Sequence, residues 1–341
     1  MARARLQDVA DRAGVSLATA SRVLNGSARQ PGAALVERVR DAAHELGYVV
    51  NAQAQALARS RTGLLGLVVQ DISDPYFSSI AAGAQAAARE RGRLVLLAST
   101  QRDPEAERDA VAAFAAHRVE AVVVAGSRWS ADEDAALAAD FERYAAEGIR
   151  SVVVGQPLGA ASVVRPPNAA GARDLARALL DRGLRRFVVL GGPQRVVTSR
   201  ERREAFAAAV RDGGGAVVEV LETEFSRDGG YAAGDDVARL VREAGRDEPL
   251  CVFAVTDVLA IGVIARLRER GLRVPDDVRV AGFDDIPTLR DHVPALTTVR
   301  IPLEEMGRLA VVAALGEAEG GGAREVAEVV VGHEVILRAS T

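Results

Sequence analysis

Acids, hydroxyls and aromatic side chains recur in this chain directly after runs of apolar residues. Asp71, Ser73, Asp74, Tyr76 and Phe77 follow "LLGLVV" in the stretch "QDISDPYF". Ser127 and Arg128 follow "VEAVVVAG", Asp257 stands just beyond "LCVFAV", and the pair Asp284 and Asp285 follows "VRVAGF". Carboxylates and hydroxyls converging on one pocket suit the hydroxyls of a polyol, and a neighbouring aromatic offers a stacking wall. Tyr76 and Phe77 equally suit core packing, Asp257 suits a helix cap, and one of the two acids at 284 and 285 suits a purely structural role. Cleft carboxylates could also perform acid–base work, as in a glycosidase. Other catalytic signals are missing from the sequence. "LGGPQR" follows an apolar run but has neither the GxGxxG spacing nor the Walker pattern with its lysine. All 43 basic residues are arginine, which removes Schiff-base chemistry. His44, His117, His292 and His333 lack metal-ligand spacing, and no G-x-S-x-G elbow occurs. The expectation is a binding protein with no catalytic residue, no cofactor and no metal.

A second chemistry sits in "DVADRAGVSLATASRVLNG", Asp8 to Gly26. Leu6, Val9, Ala10 and Ala13 recur on one face of a first helix. Gly14 permits a tight turn, Val15 packs between helices, and Ser16 caps the helix that follows. That helix runs from Leu17 to about Leu24, with Ala20, Val23 and Leu24 inward and Leu17, Ala18, Ser21 and Arg22 outward. Two short helices joined by a Gly-containing turn make a helix-turn-helix, whose second helix enters a major groove. No acid lies between Asp11 and Glu37, so this face does not repel phosphates. Residues 1–62 carry nine Arg against five acids, whereas the remainder is acidic. A basic head on an acidic body directs only the head toward a polyanion.

"LQDVADRAGVSLATASRVLNG" and "VRDAAHELGYVVNAQAQALARSRT" resemble the DNA-binding signature of the LacI/GalR family of bacterial transcription regulators. The resemblance continues through "GLVVQDISDPYF", "VTDVLAIG" and "VAGFDDIP", in the family's order and spacing. It implies that Leu17 and Ala18 stand where members vary to choose their operator, and that Ser16, Thr19, Ser21 and Asn25 touch phosphate. Arg22 can read guanine O6 and N7 with its planar fork. "NAQAQALARS" is implied to be a hinge helix that forms only on the operator, with Leu57 as the wedge at a central, CpG-like step. Arg200 matches a family position that reaches the effector cleft, and Phe225 matches the aromatic that covers a ligand ring; the match also favours Asp257 as a ligand acceptor. Departures from the family pattern are Ala20 for Val, Val50 for Pro, Gly155-Gln156 and Pro167 where acids are usual, and Thr256 for Asn.

From Leu64 onward strands alternate with helices, which predicts parallel sheets covered on both faces. The fold class is thus an all-α helix-turn-helix head plus an α/β core of two doubly wound lobes, by resemblance of the type I periplasmic-binding-protein-like fold. The expected domains are a head over 1–50, a hinge over 51–62 and a core over 63–341. Crossovers near 162–165, 289–293 and 322–326 would place 63–162 and 291–322 in an N-lobe and 163–290 and 323–341 in a C-lobe. The predicted function is a repressor that binds a pseudo-palindromic operator as a homodimer and responds to a small-molecule effector. A sugar or sugar derivative is the first choice of effector and a nucleobase or nucleoside the second. The ending "EVILRAST" carries no heptad, which favours a dimer over a tetramer. One cysteine, no signal-peptide pattern and no apolar run of membrane length point to the cytoplasm, with no membrane partner.

Overall fold

In the computed structural model, residues 4–25, 32–48, 62–129, 131–245, 249–316 and 328–341 are described. The chain divides into two units, Met1–Gly63 and Leu64–Thr341. The hinge segment 51–61, with the expected wedge Leu57, lies outside the described residues.

The first unit holds three helices: α1 (Leu6–Ala13), α2 (Leu17–Asn25) and α3 (Ala33–Glu45). Gly14 closes α1 in the left-handed conformation, with φ of 61°, which glycine adopts without steric cost. Val9, Ala10 and Ala13 from α1, Ala20 and Val23 from α2, and Val36, Val39, Ala42 and Ala43 from α3 form one small core. Ala20 is fully buried there, so the smaller side chain at this position still belongs to the packing face.

The second unit is built on parallel sheets. The strands β1 (Leu64–Val69), β2 (Leu94–Ser99), β3 (Ala121–Gly126), β4 (Arg150–Gly155) and β5 (Ser162–Arg165) form one sheet with β11 (Glu328–Val330), in the order β11-β5-β4-β3-β1-β2. The strands β6 (Arg186–Gly191), β7 (Ala216–Glu222), β8 (Leu250–Ala254) and β9 (Arg279–Ala281) form a second sheet, in the order β7-β6-β8-β9. Central strands such as β3, "AVVVAG", are apolar throughout because both faces are covered, and every residue of β3 is buried. The covering helices are α4 (Pro75–Glu90), α5 (Pro104–Ala116) and α6 (Ala131–Ala146) before the first crossing, and α7 (Asn168–Asp181), α8 (Val197–Asp212), α9 (Arg227–Ala244) and α10 (Asp257–Glu269) after it. A 3-10 turn, Pro287–Asp291, and the antiparallel pair β10 (Thr298–Arg300) and β12 (Glu334–Ile336) complete the second lobe, while α11 (Leu303–Leu315) packs on the first. No described helix is long and apolar enough to cross a membrane.

The lobe crossings fall later than the sequence reading places them. Ser162 to Val164 pair with Val152 to Val154, so β5 stays in the first sheet and the first crossing follows Arg165. Arg300 still pairs with Glu334 beside the second sheet, which puts the next crossing at 301–302 and not at 289–293. Glu328 to Val330 return to the edge of the first sheet against β5, so the last crossing lies beyond Val330 and not at 322–326. Strands of three or four residues read alike in either sheet; only their partners assign them.

Aspartate–proline pairs fix the starts of two helices at the sheet's carboxyl end. Asp74 accepts from the Tyr76 N–H ahead of Pro75, and Asp103 accepts from the Glu105 N–H ahead of Pro104. Helices α4 and α11 cross at backbone distance. A Cβ on Gly83 would strike the Glu304 carbonyl, and one on Gly307 would strike the Ile80 carbonyl.

Candidate functional site

In the head, the α2 surface is set by its buried face. Ser16 Oγ accepts from the Thr19 N–H at 3.2 Å and lies 2.8 Å from Thr19 Oγ1. The hydroxyl expected to meet phosphate therefore also starts the helix. Leu17 is 46% exposed, Ala18 and Arg22 are exposed, and Thr19 and Ser21 are half-buried along the same flank. Asn25 closes the helix. Arg12 and Glu45 form an exposed ion pair at 2.6 Å between α1 and α3, away from α2. Arg22 thus stands on a helix surface that carries no carboxylate.

The second site lies between the two lobes of the core, at the carboxyl ends of the strands. Its walls include Asp74, Tyr76, Phe77, Arg102 and Ser127 from the first lobe and Arg202, Phe225 and Asp284 from the second. About 30 Å³ of room remains between them, roughly one water molecule. A sugar-sized ligand enters only if the lobes part.

Polar contacts hold the lobes in this closed arrangement. Ser127 Oγ accepts from the Thr198 N–H at 3.0 Å, and the Val197 N–H donates to the Arg128 carbonyl at 3.0 Å. Gln156 Nε2 donates to Thr198 Oγ1 at 3.0 Å and to Glu201 Oε2 at 3.4 Å across the lobes, and within the second lobe Asn168 Nδ2 donates to the same Glu201 oxygen at 2.8 Å. Gln156 and Asn168 are two of the positions that depart from the family pattern or adjoin one. Trp129 of the first lobe and Arg195 of the second also meet, with the guanidinium 4.7 Å from the indole ring.

Arg202 and Asp284 form the electrostatic centre of the cleft floor. Arg202 is 1% exposed, lies 3.8 Å above the Phe283 ring, and donates to Asn168 Oδ1 at 2.9 Å and to the Val255 carbonyl at 2.8 Å. Its Nη1 is 2.9 Å from Asp284 Oδ1, an ion-pair distance but poorly aligned for a hydrogen bond. Burial pushes the Asp284 carboxyl well above the usual carboxylate range, and Arg202 opposes that rise. Asp284 holds φ of 121°, a region that L-residues rarely adopt.

Of the eight residues expected at the effector cleft, five line it in the structure and three do not. Tyr76, Phe77, Ser127, Phe225 and Asp284 all line it. Asp71 does not: its Oδ1 accepts from the Ser73 N–H and hydroxyl at 2.9 and 2.7 Å, folding the loop, while Asp74 faces the cleft. Burial raises the Asp74 carboxyl above its ordinary value, against the Tyr76 N–H bond. Arg202, not Arg200, lines the cleft. The buried face of α8 runs Ser199, Arg202, Phe206 and Ala209, a helical spacing from which Arg200 is out of phase; that periodicity was the available signal. Asp257 is fully buried behind the cleft wall, with Oδ1 accepting from the Thr298 hydroxyl at 2.6 Å and Oδ2 from the Ile286 N–H at 3.0 Å. Thr256, not Asp257, caps α10 and lines the cleft. Asp285 points elsewhere and pairs with Arg300 at 2.8 Å and Arg338 at 2.7 Å. Arg128, buried at 3% exposure, forms a bidentate pair with Glu107 at 2.7 and 2.9 Å.

A helix-turn-helix head joined to a two-lobed, cleft-bearing α/β core defines a ligand-responsive transcription regulator. The chain belongs to the LacI family of such regulators. Residues 5–51 match the family described as bacterial regulatory proteins, lacI family, and residues 176–341 match the periplasmic binding protein-like domain. The chain is 31% identical to the HTH-type transcriptional regulator DegA of Bacillus subtilis over 98% of this chain and 97% of that one. It is 34% identical to the regulator GalS of Salmonella typhimurium over 92% and 90% of the two chains. Among solved structures it is similar to the regulator CelR in complex with cellobiose, at 29% identity and a TM-score of 0.68, covering 99% of this chain and 100% of that one. The lac repressor dimer bound to operator and the anti-inducer ONPF shares the fold at 24% identity, with a TM-score of 0.83 and 99% of both chains covered.

Proposed function

We propose that this regulator is a repressor that binds a pseudo-palindromic operator as a homodimer and is controlled by a sugar or sugar derivative in its cleft. It works in the cytoplasm, on the nucleoid when bound to its operator. The observation that carries the reading is the exposed, carboxylate-free α2 face of a helix-turn-helix unit on the same chain as a cleft walled by buried polar and aromatic groups. Arg22 supplies the direct base readout. Ser16, Thr19, Ser21 and Asn25 set register on phosphate, with Leu17 and Ala18 against thymine methyls. Leu57 wedges the central step. Dimerisation through the first lobe is supported by the edge strand β2, where Leu94 is 70% exposed and Leu97 39% exposed. A sugar is supported by the cellobiose-bound relative, the aromatic walls Tyr76 and Phe225, and the acids Asp74 and Asp284.

The control works through geometry. Opening or closing the cleft changes the separation of the two hinge exits in a dimer, so hinge helices pair on DNA in one state only. Effector and operator bias one equilibrium, and their effects on each other are reciprocal. The test is selection of bound fragments from the source genome, with and without cell extract. An inverted repeat with a central CpG-like step, and its release or retention by extract, is expected. Failure to recover any motif under both conditions overturns the operator reading, and a recovered motif that extract never affects overturns the effector reading. A sedimentation mass near four chains refutes the dimer.

A further inference from the structure

The cleft contains an arginine that no described carboxylate contacts directly. Arg102 stands between β2 and α5, where Gln101 and Arg102 are both left-handed, with φ of 51° and 62°. Asp103, the next residue, is committed to capping α5 through the Glu105 N–H at 2.8 Å and the Ala106 N–H at 3.4 Å. That turn delivers Arg102 into the cleft beside Asp74, Tyr76 and Phe225, with its guanidinium carbon 5.4 Å from the Phe225 ring centroid. Two other arginines close to the cleft are answered by carboxylates, Arg202 by Asp284 and Arg128 by Glu107. Arg102 forms no hydrogen bond or ion pair with a described residue, and its Nε is buried without a partner. Asp74, Asp71 and Glu224 act on it only from a distance; Asp74 spends Oδ1 on Tyr76 and Asp71 spends Oδ1 on Ser73.

A guanidinium carries five donors in a fixed fork that matches the oxygens of a carboxylate or phosphate. A neutral polyol hydroxyl satisfies one such donor; an oxyanion satisfies two and neutralises the charge. We propose that the effector is an acidic sugar, with its ring against Phe225 and Tyr76 and its oxyanion on Arg102. Asp74 and Asp284 accept its hydroxyls, and Arg202 stays with Asp284. The assignment rests on the reading of the cleft as an effector site and narrows the class of molecule that enters it.

The sole tryptophan, Trp129, stands two residues beyond the cleft-lining Ser127 and packs against Arg195 of the other lobe, so its fluorescence reports a change in how the lobes meet. The probes are neutral hexoses and pentoses, each with its uronate, aldonate and terminal phosphate, together with acetate and inorganic phosphate. They are titrated against the wild type, Arg102→Gln and Arg102→Lys, with calorimetry as the second readout. At least one acidic sugar binds the wild type tenfold or more tightly than its neutral parent. Arg102→Gln loses tenfold or more toward that acid while keeping the parent's affinity, and Arg102→Lys falls between because it keeps charge but not the fork. Preference for the uronates and aldonates or for the phosphates identifies the oxyanion. Neutral parents that bind as tightly as the acids, an acid whose affinity survives Arg102→Gln, or a panel in which no acid binds each overturn the assignment. Neutral sugars that bind all three proteins equally while no acid binds more tightly leave the effector reading standing and remove only the role of Arg102. A cell extract that never affects operator binding removes the effector reading itself.

Discussion

Asp257→Asn tests how the core tolerates a buried carboxylate at the base of the cleft. Asp257 is fully buried, and burial pushes its carboxyl up from 3.8 to about 7 against the Thr298 and Ile286 hydrogen bonds. A folded-state value above the unfolded one means that the native chain holds a proton the unfolded chain has lost. The carboxyl therefore leaves stability intact below about pH 4 and subtracts from it progressively as pH rises to about 7. A difference of about three pH units, at about 1.4 kcal/mol each, gives a penalty of about 4 kcal/mol above pH 7. In Asp257→Asn the amide oxygen still accepts from the Ile286 N–H. The amide nitrogen donates to the Thr298 hydroxyl, which accepts as readily as it donates. The variant is neutral at every pH and stays satisfied. Thermal unfolding of both full-length proteins, followed by circular dichroism from pH 4.5 to 8.5, is the assay. The two melt close together at the acid end, and the variant leads by on the order of 10 °C at pH 8. An offset that stays constant across the range, or a wild type that gains on the variant as pH rises, refutes the reasoning.

Arg202→Met leaves Asp284 buried without its cation and costs about 3–5 kcal/mol in urea unfolding; adding Asp284→Asn recovers part of the loss, and no recovery shows that Arg202 acts by packing alone. Gly307→Ala drives a methyl into the Ile80 carbonyl where α11 crosses α4 and lowers stability by about 1–3 kcal/mol or more, against a near-zero change if the helices separate freely. Gln156→Ala removes the bonds to Thr198 and Glu201 that hold the lobes together; Trp129 fluorescence in the ligand-free protein shifts, and an unchanged spectrum counts against the latch. Arg22→Ala weakens operator binding by about 1–3 kcal/mol and relaxes preference at one base pair per half-site, whereas equal weakening on random DNA assigns Arg22 to phosphate.

Much of the architecture was legible because it is local. Helical spacing around Gly14 places Val9, Ala10, Ala20 and Val23 inside before any partner is known. Apolar runs such as Ala121–Gly126 read as central strands because no polar residue interrupts them. Asp-Pro pairs state where α4 and α5 begin. Tyr76, Phe77, Ser127, Phe225 and Asp284 were found because they follow those strands or match family motifs, and the strand ends meet at the cleft.

Sequence by itself determined the order of elements, the helix-turn-helix, the two α/β series and the loops that reach the cleft. Tertiary structure alone decided which side chain of each loop enters it. Asp71 and Asp74 lie three apart on one short turn, yet one folds the loop and the other faces the cleft. Arg200 and Arg202 are two positions apart on a helix, hence about 200° apart around it, and the packing of Phe206 selects Arg202. Asp257 is the first residue of α10, next to its cap Thr256, and only the approach of Thr298 and Ile286 turns its carboxylate away from the cleft. The same holds for the lobe crossings, since β5, β10 and β11 are too short to carry a preference and take their lobe from the strand beside them. A local pattern fixes an element's type and face. A side chain's direction at a site depends on groups distant in the chain, and those are specified only when the core closes.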